Sequence, residues 1–158
     1  TELYNRRHFI EMADKEIARA MRHQRPLSLC IVDVDLFKPV NDRYGHISGD
    51  EVLRRIAGLL RGHARSDDLA ARIGGEEFAL LLSECDATAA TAFAERLREA
   101  VAATTFVLGG EPQRITISIG IAELAPERAE RTALMAAADA ALYRAKDEGR
   151  NRVCVEAH

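Results

Sequence analysis

Two glycines and two glutamates separate two short apolar runs: Leu69 to Ile73, then Gly74-Gly75-Glu76-Glu77, then Phe78 to Leu82. Glycines between apolar runs predict a β-hairpin, so this stretch commits the chain to a sheet. The tip of that hairpin carries two carboxylates and almost no side-chain bulk. A ligand could approach the backbone at Gly74 and Gly75 closely. The remaining pattern says what surrounds the sheet. Phe9, Ile10, Ala13, Ile17 and Met21 recur at helical spacing, predicting a helix over 6–24 that ends before Pro26. Leu27 to Val32 reads as a buried strand closed by Asp33-Val34-Asp35. Residues 36–49 read as a loop or short helical turn, and 50–61 as a second helix. Helices over 87–102 and 132–146 flank a strand over 114–122, where Ile115, Ile117, Ile119 and Ile121 alternate. Gly149 stands at a helix C-cap position, and 151–155 reads as a last strand. Helices between strands plus one hairpin favour a single sheet covered by helices.

The 158 residues, 47% apolar and 30% charged, are ordinary for one soluble domain with its own core. A net charge of −3 argues against a broad nucleic-acid surface. Cys30, Cys85 and Cys154 are widely spaced, with no Cys-x-x-Cys, which suits a reducing cytoplasmic setting and neither zinc nor a disulfide framework. No run is long and apolar enough to span a membrane, so no membrane contact by this domain is expected.

Asp33 ends an apolar strand, where a solvent-facing acid is the ordinary reading. The hairpin acids change the weighing. Two carboxylates about 4 Å apart repel by roughly 1 kcal/mol in water and about 4 kcal/mol at a protein-like dielectric. Gathering Asp33, Glu76 and Glu77 is unfavourable unless a cation joins them. Hard oxygen ligands with an open side suit Mg2+ or Mn2+, which would bring phosphates, and two ions can clamp an in-line displacement. Lys38, Lys146 and Arg150 are candidates to hold a triphosphate, with Lys146 and Arg150 read as one turn apart at a helix end. Asn41 and Asp50 offer an amide and a carboxylate, which together complement the edge of guanine. Each also has a bland role, Asn41 in a loop and Asp50 as a first-turn helix acid. His46 fits either a loop hydrogen bond or a contact to phosphate or base. Arg65-x-x-Asp68 alone is explained by a surface ion pair.

Five blocks together resemble one family, the GGDEF domain of diguanylate cyclases in its GGEEF form. Thr1-x-Leu3-x-Asn5-Arg6-Arg7 is similar to the opening motif, with Glu2 where a glycine is usual. Asp33-Val34-Asp35-x-Phe37-Lys38-x-x-Asn41-Asp42 with Tyr44-Gly45-His46-x-x-Gly49-Asp50 resembles the metal and guanine segment. Arg72-x-Gly74-Gly75-Glu76-Glu77-Phe78 resembles the signature. Ile117-Ser118-Ile119-Gly120 and Tyr143-x-Ala145-Lys146-x-x-Gly149-Arg150-Asn151 resemble later blocks.

The resemblance implies an α+β fold, with a palm-like ferredoxin-type sheet of about five mostly antiparallel strands flanked by helices. It implies that residues 1–158 are the catalytic domain trimmed from a longer protein with an upstream sensor or dimerisation region. The implied reaction joins two GTP into cyclic di-GMP and releases two pyrophosphates, across an antiparallel homodimer with one GTP per subunit. By the same resemblance, Asp33, the carbonyl of Val34 and Glu76 bind two Mg2+ (or Mn2+) ions. Glu76 is the candidate base, Glu77 supports it, and Lys38 stabilises phosphate charge. Phe37, Asn41, His46, Asp50, Gly74 and Gly75 line the GTP site with Lys38, and Lys146 and Arg150 hold the triphosphate. Arg65 and Asp68, five residues before the glycines, with Arg96, form a product-inhibition site for cyclic di-GMP. The competing readings are a catalytically silent module that senses cyclic di-GMP or GTP, a pure dimerisation module, and a cyclase of another purine nucleotide. Both glycines, both glutamates and Asp33 are present, which ranks the silent module lower.

Overall fold

In the computed structural model, which describes residues 3–157, the elements run in the order α1 (Arg6–His23), β1 (Leu27–Val34), α2 (Phe37–Tyr44), α3 (His46–His63), β2 (Leu69–Arg72), β3 (Glu77–Ser83), α4 (Ala87–Ala103), β4 (Thr105–Leu108), β5 (Glu111–Arg114), β6 (Ile117–Glu123), α5 (Arg131–Asp147) and β7 (Val153–Glu156). Five strands form one sheet in the order β2-β3-β1-β6-β7. The first three pairings are antiparallel, and only β6 and β7 run parallel. The expected α+β sheet of about five mostly antiparallel strands is therefore present. The opening motif begins at Thr1 and Glu2, which lie outside the described residues.

β1 is the centre of the sheet and is buried along its whole length. Side chains alternate across a strand, so its residues divide between two cores. Cys30, Val32 and Val34 meet α3 and α4 through Val52, Ile56, Leu60, Ala94 and Leu97. Leu27, Leu29 and Ile31 meet α1 and α5 through Phe9, Ala13, Ile17, Leu134 and Ala138. Each such large apolar side chain, taken from water, contributes about 1.5–3 kcal/mol. Two helices start on side-chain caps: His8 N–H donates to Asn5 Oδ1 and Ala89 N–H to Asp86 Oδ1, both at 2.9 Å. Caps of this kind are worth about 1 kcal/mol.

The helix α5 lies hard against β6. A Cβ added to Gly120 would run into the carbonyl oxygen of Ala138 and the backbone nitrogen of Leu142. The glycine thus sets how closely α5 approaches the sheet, and with it the position of Lys146.

The structure departs from the sequence reading in four places. Residues 36–49, read as a loop or short helical turn, hold the whole helix α2 and the first turn of α3, which opens at His46 rather than at residue 50. The apolar positions Phe37 and Val40 are too few for the period to be read from sequence. Residues 105–114 form a separate hairpin, β4 and β5, turned at Gly109-Gly110. Consequently β6 starts at Ile117, and Ile115 belongs to the connection before it. Finally, α5 stops at Asp147, so Arg150 is not on the helix. The three cysteines are free. No helix among the described residues is long and apolar enough to cross a membrane.

Candidate functional site

Register brings the acids together. Asp33 on β1 lies directly opposite Glu77 on β3, and Val34 N–H donates to the carbonyl of Glu76 at 3.2 Å. Paired residues project to the same face, so Asp33 and Glu77 are neighbours on the side covered by α1 and α5. Asp33 is only 3% exposed, which overturns the solvent-facing reading. Its Oδ2 accepts from Lys146 Nζ at 2.7 Å. Thus an ammonium from α5 enters the group of carboxylates.

That single cation does not satisfy the cluster. Burial pushes the Glu76 carboxyl above the usual carboxylate range, and the neighbouring Asp33 charge adds to the shift, against the lowering effect of Lys146. Glu77 is likewise raised, first by burial, then by Asp33 and by Asp139 of α5. Asp139 is itself raised by burial, although Arg6 and Lys146 oppose this. Sequence reading missed Asp139. It stands two helical turns before Lys146, so a shared helix face was the available signal.

Asp33 and Glu76, with the Val34 carbonyl that follows Asp33 on β1, are the hard oxygen donors that the sequence reading assigned to a divalent ion. Among the described residues, no three His, Cys, Asp or Glu side chains are already gathered into a ligand cage. An open set of two or three oxygens is the kind of site Mg2+ uses, since it keeps waters and takes substrate phosphates as further ligands. The residues present therefore fit a divalent ion that arrives with its substrate.

The two glycines leave the tip without side-chain bulk. Neither Gly74 nor Gly75 adopts a positive φ, and both are exposed. A Cβ on Gly75 would meet nothing within 4 Å. Local folding does not demand glycine at Gly75. Arg72 braces the tip from behind, donating to the carbonyls of Gly74 at 3.2 Å and Gly75 at 2.7 Å.

A second group lies on α2 and α3. Asn41 Oδ1 is buried and unpaired, an unusual state for a polar atom. Gly49 packs closely against it: a Cβ there would run into that oxygen and approach Phe37 Cζ at 3.1 Å. Phe37 is buried beneath. His46 and Asp50 are exposed at the start of α3. Asp50 lies beyond the first turn, so its bland role as a first-turn acid falls away. Lys38 is exposed and pairs with Asp42 at 3.1 Å rather than with the acids.

The third group is separate. The Arg65 N–H donates to Asp68 Oδ2 at 2.9 Å, and its Nη2 donates to the Ser83 carbonyl at 2.6 Å. Asp68 Oδ1 in turn accepts from Ser83 N–H at 3.1 Å. Arg65, Asp68 and Arg96 line one cavity of about 190 Å³, floored by Leu82, Cys85 and Phe93. The three residues expected to act together thus share one surface.

Comparison with known proteins bears on the family and the fold. The family model described as "Diguanylate cyclase, GGDEF domain" matches residues 1–152. The diguanylate cyclase DgcP of Pseudomonas aeruginosa is 45% identical over 153 residues, which are 97% of this chain and 23% of DgcP. The chain spans less than half the length of the curated relatives compared with it. The GGDEF domain of DgcB from Caulobacter crescentus, solved in complex with c-di-GMP, superposes with a TM-score of 0.96 at 35% identity, covering 100% of this chain and 91% of that one. The active GGEEF domain of a diguanylate cyclase from Vibrio cholerae gives 0.93 at 33% identity, covering 99% of each.

Proposed function

This chain belongs to the GGDEF-domain family of diguanylate cyclases, and on that premise we propose that it joins two GTP into cyclic di-GMP with release of two pyrophosphates. The observation that carries the reading is the cluster of Asp33, Glu76 and Glu77 at the strand and hairpin ends, entered by Lys146 and left open at the glycine tip. Asp33, Glu76 and the Val34 carbonyl would hold divalent ions, Mg2+ or Mn2+, two per site. Such ions supply charge neutralisation for the phosphates and lower the pKa of the attacking hydroxyl.

The chain's own groups do the rest. Lys146 already lies at the acids, and with Arg150 it neutralises the triphosphate; Lys38 swings from Asp42 to the phosphates. Asn41, with its unpaired amide oxygen, and Asp50 take the donor edge of guanine, with His46 beside them and Phe37 behind. Glu76 accepts the proton from the 3′-hydroxyl, and Glu77 supports it. That hydroxyl attacks the α-phosphate of the second GTP, and pyrophosphate leaves. Repeating this step in the opposite sense closes the ring. Each GTP sits on one subunit, so the reaction needs an antiparallel homodimer, which an upstream region of a longer protein would assemble. Cyclic di-GMP returns to the cavity of Arg65, Asp68 and Arg96, where a guanidinium suits bidentate binding of phosphate or the Hoogsteen edge of guanine.

The test is incubation with GTP and Mg2+ over a range of protein concentrations, with nucleotides separated by chromatography. Cyclic di-GMP rising faster than linearly with protein is the expected result. Absence of product even with a fused dimerising coil would overturn the cyclase reading in favour of a silent module that binds cyclic di-GMP or GTP.

A further inference from the structure

The turn that follows α5 has an uncommon backbone. After Gly149, Arg150 has a φ of 66° and Asn151 a φ of 47°. Two successive non-glycine residues in the left-handed region are strained, and such strain persists only where the surroundings hold it. Asparagine tolerates this region better than most residues, but arginine gains nothing there.

Several hydrogen bonds hold the turn, among them one from Arg152 Nε to the Arg150 carbonyl at 3.1 Å. Arg150 N–H donates to the Ala145 carbonyl at 2.9 Å, which closes the helix end. Asn151 N–H donates to Asp35 Oδ2 at 3.0 Å. Arg98 of α4 donates through Nη1 to Asn151 Oδ1, also at 3.0 Å. Both outer partners are themselves fixed. Asp35 is 6% exposed and accepts from Thr116 Oγ1 and Ser118 Oγ, each at 2.7 Å. The Arg98 guanidinium is held by Glu95 at 2.9 Å, with Glu99 at 3.8 Å. Its side chain is only 19% exposed, although α4 carries no other part of the acid site.

We propose that Arg98 and Asp35 are positioning residues for GTP: through Asn151 they lock the left-handed turn that presents Arg150 to the triphosphate. Asp35 stands two residues after Asp33, so one strand end carries an acid of the site and also anchors its cationic turn. A guanidinium 19% exposed and paired with Glu95 has no need of Asn151 for its own charge. The contact matters to the turn. This inference rests on the reading that Arg150 binds GTP.

The experiment is steady-state kinetics, with melting curves, on Arg98→Met, Arg98→Lys, Arg150→Ala and the double variant Arg98→Met/Arg150→Ala. Methionine keeps the aliphatic packing of the stem and removes the fork. Arg98→Met should raise KM for GTP roughly five- to tenfold with kcat within about twofold, the pattern of lost uniform binding. Arg98→Lys, which keeps one donor, should recover part of that. The double variant should be no worse than Arg150→Ala, because Arg98 acts only through the turn. If Arg150→Ala raises KM while Arg98→Met leaves it unchanged, or if the two effects multiply, the inference is overturned and the GTP reading stands. If Arg150→Ala itself leaves KM at the wild-type value, the assignment of Arg150 fails and the inference with it.

Discussion

At the scale of single residues, Glu76 and Glu77 tie chemistry to stability. Both carboxyls are raised, chiefly by burial and then by Asp33. The folded chain therefore holds these protons more tightly than the unfolded chain does. The stability linked to them is complete below the ordinary carboxylate range, about pH 4, and is lost as pH rises through the raised values. Without divalent ions, Glu76→Gln should melt roughly 1–2 °C above wild type near neutral pH, and the gap should close toward about pH 4. The same variant should lose turnover, and retained turnover would remove Glu76 from the mechanism. Gly75 tests the opposite combination. Its φ is compatible with alanine and a Cβ there meets open space, so Gly75→Ala should leave the melting temperature unchanged or slightly raised. GTP turnover should still fall, because the methyl occupies room at the tip. An active Gly75→Ala would show that nothing approaches this backbone closely.

At the scale of elements, the decisive placement is α5 on β6. The methyl of Gly120→Ala would press on backbone atoms of Ala138 and Leu142, which cannot rotate away. Overpacking of this kind costs about 1–3 kcal/mol, or roughly 3–10 °C in melting temperature at this chain length. Lys146 and Asp139 ride on α5, so turnover should fall together with stability, unlike the Gly75 case. A melting curve and a turnover assay on the same sample separate the two. The elements also show where sequence patterns carry structure. Helix α1, with four buried residues at helical spacing and an Asn5 cap, was readable to within a residue. α2 was not, because eight residues with one buried side chain carry no period. The β4–β5 hairpin was missed because exposed residues dominate β5 and it contains Pro112, a residue that argues against a strand.

At the scale of the whole molecule, the acid site and the Arg65 cavity are separate surfaces of one domain. If cyclic di-GMP binds the cavity, Arg65→Ala should weaken its inhibition at least tenfold while the uninhibited rate stays near wild type, given that Arg65 touches Asp68 and Ser83 and not the acids. An unchanged inhibition constant sinks the product-site reading. Dimer dependence belongs to this scale as well. Fusing a dimerising coil should raise specific activity most at low protein concentration, since linkage replaces a bimolecular encounter by an effective concentration.

The residues of the hairpin, the strand that ends in Asp33 and the spacing of the later blocks were enough, without coordinates, to give the sheet, its helical cover and the family. Those features are local: short apolar runs, glycines between them and helical periods are visible within a dozen residues. The sequence also placed three carboxylates as partners, because like charges need a shared cation. It did not reveal that Asp33 and Glu77 face each other in register, that Lys146 reaches Asp33, or that Asp139 adds a fourth carboxylate. Nor did it reveal that Arg150 leaves the helix for a left-handed turn held by Arg98 and Asp35. Each of those depends on groups far apart in the chain, whose distance is set by strand register and by how closely α4 and α5 pack on the sheet. Tertiary structure alone decides that.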